Sequence, residues 1–137
     1  MKYLLLYTVC LLILFSCSKD KTAGLPLLAN NSGELKYKGV FRPTQWIMVS
    51  GEARIYTVGG DSFLQLDSFS VSSGPDLKVY LSKKDIPFEF INLGALKTNN
   101  GTQRYKVPSG TDFSLYSYVL IHCQQYNHLF AIAELKP

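Results

Sequence analysis

From Glu34 to the end of the chain, apolar residues recur in short runs, and Gly, Pro, Asn or Ser breaks each run before a helix is complete. An amphipathic helix needs apolar positions three or four apart over about ten residues or more, whereas a strand needs alternation over only about four to eight. No helical stripe of useful length is present. Tyr, Phe, Val, Ile and Ser abound in this part of the chain, a mixture suited to strands and turns. The expected fold is all-β: a single antiparallel β-sandwich or barrel-like domain.

The expected strands follow the punctuation. Residues 35–41 form a short one, and 46–58 a longer one with Gly51 at a bulge. Gly59-Gly60-Asp61 turns the chain into 62–71, where Leu64 and Leu66 alternate inward and Phe69 and Val71 mark a change of face. Ser72-Ser73-Gly74-Pro75-Asp76 is a loop ending in a tight turn. Leu77, Val79 and Leu81 share one face of the next strand, with Lys78, Tyr80 and Ser82 on the other. A further strand covers 88–93. Asn99-Asn100-Gly101 signals a hairpin, because Asn and Gly tolerate positive φ, and 102–107 leaves it. Residues 115–123 are apolar on both faces and read as a central strand covered on both sides. Tyr126-Asn127 then turns the chain into a closing strand, 128–135.

The N-terminus carries an address. Met1-Lys2-Tyr3 precedes an uncharged apolar run from Leu4 to Phe15. One Lys and about a dozen apolar residues make the first two regions of a secretory signal. A bilayer-spanning helix would need about 20. The run ends Leu14-Phe15-Ser16-Cys17, which resembles the lipobox of bacterial lipoproteins, with Phe15 bulkier than the usual residue at its place. The resemblance implies that residues 1–16 are a lipoprotein signal peptide and that Cys17 is lipidated. Two or more acyl chains give a stable anchor in a lipid bilayer. Residues 17–33 then form anchor and tether, with no sustained period, and 34–137 the β domain. In Gram-negative lipoproteins an Asp directly after the lipidated cysteine favours inner-membrane retention. Ser18 stands there instead, which implies a bacterial cell envelope location with the outer membrane favoured.

Composition excludes several functions. Fourteen Lys and Arg against ten Asp and Glu give a net charge of +4 with no block of like charge, so nothing points to nucleic acid. Two histidines and one body cysteine, Cys123, are too few for a zinc site. The chain has no Gly-rich phosphate loop, GxSxG elbow or HExxH motif. No acid, base and nucleophile converge, so no catalytic residue is assigned.

Certain segments line up in order: Ser50-Gly51-Glu52-Ala53-Arg54-Ile55, Leu64-Gln65-Leu66-Asp67-Ser68-Phe69, Gly74-Pro75-Asp76-Leu77-Lys78-Val79-Tyr80-Leu81-Ser82 and Leu93-Gly94-Ala95-Leu96-Lys97. Gly101 to Pro108, Val119 to Cys123 and Phe130 to Leu135 complete the set. Together they resemble the DM-thirteen domain, found beside DOMON domains in animal cell-surface proteins and also in bacterial lipoproteins. The Gly-Pro-Asp-Leu-x-Val-Tyr-Leu-Ser stretch is the most specific part. The resemblance implies a place in electron transfer through a characteristic cysteine, here Cys123, as a free thiol or as the ligand of a prosthetic group such as haem. It also implies a separate envelope partner protein, since no second redox domain is present in this chain.

The residues leave two readings of Cys123 open. One is a redox thiol or haem ligand. The other is a small apolar core residue, as unpaired cysteines often are. His122 falls on the face opposite Cys123. His128 neighbours a possible cofactor at Cys123 only if the intervening loop has a suitable length. Asp76 reads as an Asx-turn residue, and Asp67, Asp76 and Asp85 do not complete a calcium loop. Trp46, Tyr56, Tyr80, Tyr105 and Tyr126 read as core or cross-strand aromatics rather than a groove. The expected function is a non-catalytic redox or electron-transfer accessory. The alternative is a ligand- or protein-binding or assembly module with Cys123 as structural core.

Overall fold

The computed structural model describes residues 33–137. The signal peptide, Cys17 and all of the tether except Gly33 lie outside the described residues. The eight strands are β1 (Glu34–Pro43), β2 (Val49–Val58), β3 (Asp61–Val71), β4 (Leu77–Ser82), β5 (Ile91–Ala95), β6 (Gln103–Lys106), β7 (Tyr118–Cys123) and β8 (His128–Glu134). No helix occurs among the described residues. The strands form one antiparallel sheet in the order β5-β4-β7-β8-β1-β2-β3-β6. Strand β1 serves two neighbours: its first part pairs with β2 and its last three residues with β8. That switch carries the sheet round its curve and gives a nearly closed barrel.

Alternation puts one apolar side of each strand inside. Ala53, Ile55, Leu64, Leu66, Val79, Leu81, Val119, Ile121, Ala131 and Ala133 are fully buried in one core. The edge strands β5 and β6 do not pair; side chains of β6 close the gap. The Lys97 amide, just past β5, donates to Tyr105 Oη and Gln103 Oε1, each at 3.0 Å. Gln103 Nε2 donates to the Thr98 carbonyl at 2.7 Å. Burial raises the Tyr105 pKa above 10.0, a shift opposed by the Lys97 amide bond, so the hydroxyl keeps its proton.

Several expected features are present. Gly51 (φ 103°) sits where the β2–β3 register slips between Ser50 and Glu52. The change of face before Phe69 occurs at Ser68, whose φ is 48°. Strand β7 lies between β4 and β8, with Val119 through Cys123 all buried. Other boundaries move. The strand expected over 88–93 starts at Ile91, because Ser82 Oγ gathers the preceding loop through the Ile86 and Phe88 carbonyls and the Phe88 amide. Strand β7 starts at Tyr118 and not at Leu115, since the Leu115 and Tyr116 amides turn back onto the Asp112 carbonyl. The Asn99-Asn100-Gly101 turn joins no hairpin. It lies along β3 instead, with Val71 donating to Asn99 and Gly101 donating to Phe69.

Candidate functional site at the barrel mouth

Antiparallel topology sorts the loops to two ends. Those after β1, β3, β5 and β7 share one end, the mouth; those after β2, β4 and β6, with the start of β1, share the other, the base. Cys123 is the last residue of β7 and so sits just inside the mouth. Its register partners are Leu77 on β4 and His128 on β8. It is fully buried, with 0% exposure, in the main core.

Directly opposed residues of an antiparallel pair stand on the same face, with Cβ atoms about 4.5–5.5 Å apart. His128 therefore rises on the Cys123 face of the sheet, at the rim, where it is exposed. Its ring meets the edge of Phe130 with centroids 5.4 Å apart. The register slips between Ile121 and His122, and the extra residue, Phe130, turns into the core. The four-residue turn 124–127 and this slip bring the cysteine and the histidine opposite each other.

The most specific sequence stretch builds a cover over the thiol. A Cβ added at Gly74 would lie 2.8 Å from Leu77 Cδ2 and 2.9 Å from Phe130 Cζ, so any larger residue there must push the ends of these two side chains aside. The Asp76 carbonyl accepts the Gln124 amide at 2.9 Å, fastening the loop to the residue after Cys123. The Asp76 carboxylate pairs with Lys78 Nζ at 2.8 Å in place of the expected Asx-turn. Thr44 ties the β1–β2 loop to the start of β8: its amide donates to the Phe130 carbonyl at 3.0 Å, and its hydroxyl bonds the Leu129 and Phe130 carbonyls.

His122 takes the opposite face, as expected. It is 5% exposed and lies beside Tyr80, with ring centroids 5.5 Å apart. Its Nε2 meets Asn127 Oδ1 at 3.2 Å, and its buried Nδ1 has no partner among the described residues. Burial lowers its pKa below 6.5, the Asn127 bond opposes that shift, and His128 adds to it. The imidazole is neutral at pH 7, with Nε2–H donating to Asn127. Tyr80 is buried and stacks on Phe90 at 4.2 Å; burial raises its pKa above 10.0.

A haem does not fit this arrangement. Iron ligation by Cys123 needs an open approach to Sγ, whereas the sulfur is enclosed in a filled core. Grooves lie along the outer wall at Lys38, Arg42 and Glu134 and at the rim beside Met48, Ser72 and Asn100, and Cys123 lines neither. No group of three or more His, Cys, Asp and Glu able to hold a metal occurs among the described residues. Asp67 is engaged by Arg54 at 3.0 Å.

Nothing in residue type or spacing marked the rim. Trp46 and Tyr126, read as core or cross-strand aromatics, are instead exposed, Trp46 at 90%, and Met48 is exposed with them on mouth loops. Trp46 holds φ at 69°, unusual for a bulky residue and typical of functional loops. Met48 is clamped beside it by mutual bonds with Ser72.

No curated protein and no solved structure matches the chain. A family model, electron transfer DM13, matches residues 43–135, a span that runs from the end of β1 through β8 and includes Cys123, the Gly74–Asp76 cover and His128. On that match the chain belongs to the electron transfer DM13 family.

Proposed function

We propose that the protein is a lipid-anchored electron-transfer accessory of the cell envelope, with Cys123 as its redox group and a partner protein supplying and removing electrons. The observation that supports this best is the register of Cys123 against His128 at the mouth. The turn between them is held by few bonds: Gln124 to Asp76, a long Asn127-to-Gln124 bond of 3.4 Å, and His122 to Asn127. Its opening uncovers the sulfur beside an imidazole that takes the thiol proton. The thiolate then attacks a disulfide of the partner, forming a mixed disulfide and releasing one partner sulfur as thiolate. A second partner thiolate attacks the partner sulfur of that mixed disulfide, releasing Cys123 as thiolate and leaving a new disulfide between two partner sulfurs, so Cys123 relays a thiol–disulfide exchange and returns unchanged. The exposed Trp46, Met48 and Tyr126 give the partner an apolar and aromatic rim.

Complete burial of Cys123 favours a second reading, a binding or assembly module that uses the same rim while the sulfur fills the core. Alkylation kinetics separate the two. The redox reading expects Cys123 in the native protein to react faster than global unfolding allows, and His128→Ala to slow that reaction several-fold. Alkylation that tracks global unfolding across a denaturant series overturns it and leaves the binding module.

A further inference from the structure

We infer that the base of the barrel rests on the lipid bilayer and points the Cys123 mouth away from it. This inference rests on the anchor reading of Cys17. At the base, the β4–β5 loop exposes Ile86, Phe88 and Phe90, and the turn before β7 exposes Leu115. These loops are neighbours: Lys83 Nζ lies 5.6 Å from the Tyr116 ring centroid. Two devices hold the apolar tips outward. Ser82 Oγ pins the loop through the Ile86 and Phe88 backbone, and Phe90 is braced against buried Tyr80.

The tether names the occupant. Strand β1 begins at Glu34, at the base. Sixteen residues, 18–33, join Cys17 to the start of β1. The ten residues of β1 rise about 33 Å. The link to Cys17 therefore leaves the barrel at the base, which puts that end nearer the anchor than the mouth, one strand length farther along the chain. Charge at the base is close to balanced: Lys83 pairs with Glu89, Lys106 with Asp61 at 2.9 Å and Lys36 with Glu34 at 2.7 Å, while Lys84, whose ammonium lies 4.0 Å from the Phe88 ring centroid, is followed by Asp85. The seat is apolar, of the kind that sinks about 5–10 Å into the headgroup boundary.

Trp46, the one tryptophan of the chain, marks the mouth. The lipidated protein, isolated from membranes, is reconstituted into phosphatidylcholine vesicles with brominated acyl chains. Flotation reads the anchor and tryptophan quenching reads the seat. In a Trp46→Phe/Phe88→Trp variant, lipid quenching is expected to be several-fold stronger than for Trp46 in the parent, and Trp46 remains open to aqueous iodide. Raising salt from about 0.1 to 1 M, which shortens the Debye length from about 10 to 3 Å, leaves the quenching unchanged. Floating protein with no quenching at Phe88→Trp, with stronger quenching at Trp46, or with quenching lost in salt overturns the seat while leaving the anchor standing. Protein that fails to float overturns both.

Discussion

A sulfur removed from a filled barrel wall leaves a void that its rigid neighbours cannot close. Cys123→Ala is expected to cost about 1–2 kcal/mol in chemical denaturation, scaled down from larger core truncations. Cys123→Ser should cost more for its size, because it buries a hydroxyl in the apolar core that must find a hydrogen-bond partner. His122, one residue earlier, has the opposite character, a polar ring held in a sealed site. Its folded pKa lies below the ordinary value of 6.5, so the unfolded chain binds the proton more readily. Its contribution to stability is complete above pH 6.5 and is lost as pH falls through the depressed folded value. Lys78 opposite on β4, Tyr80 and Asn127 face this ring, His128 acts on it through charge alone, and none of these offers a negative charge to hold a proton there. Denaturation midpoints should therefore fall below pH 6.5. In His122→Phe that loss should shrink, leaving the later one in the carboxylate range, where Asp112 is held below 3.8 by its bonds to Ser114. An unchanged pH profile in His122→Phe would assign the titration to another group.

At the scale of elements, the cover over Cys123 depends on one missing Cβ. Gly74→Ala displaces the ends of Leu77 and Phe130, and Leu77 is the register partner of Cys123 on β4. Native alkylation of Cys123 is expected to accelerate several-fold, with the far-UV circular dichroism unchanged. Equal rates in variant and parent would show that the loop does not seal the site. The elements themselves were legible because strand alternation is a local property: β4 and the buried centre of β7 follow directly from their apolar spacing. Their pairing was not, because register depends on distant chain. The turn residues Asn99 to Gly101 announced a reversal correctly, but nothing local says that β5 and β6 end on opposite edges of the sheet. The opposition of Cys123 and His128 likewise depends on a one-residue slip at Phe130, which leaves no mark in the sequence. Trp46 resembled a core aromatic because a positive φ in a loop cannot be read from residue type. The side-chain closure by Gln103 and Tyr105 was equally hidden, since both alternate as ordinary strand residues do.

At the scale of the molecule, the chain has a direction. The tether joins at the base and the candidate site opens at the mouth, about the length of β1 away. An anchor at Cys17 then sets where the site faces as well as where the protein resides. In the proposed anchor the thioether to lipid forms on the Cys17 sulfur, and no other cysteine lies within residues 17–33. The first strand starts at Glu34 and makes its bonds with β2 and β8, so the barrel does not draw on the anchor for its own pairing. Cys17→Ala is therefore expected to abolish incorporation of labelled fatty acid and processing of the signal while the domain keeps its β-type circular dichroism. Label that persists in Cys17→Ala would refute the lipidation site. Loss of label together with loss of β structure would show that residues before Glu34 contribute to the fold.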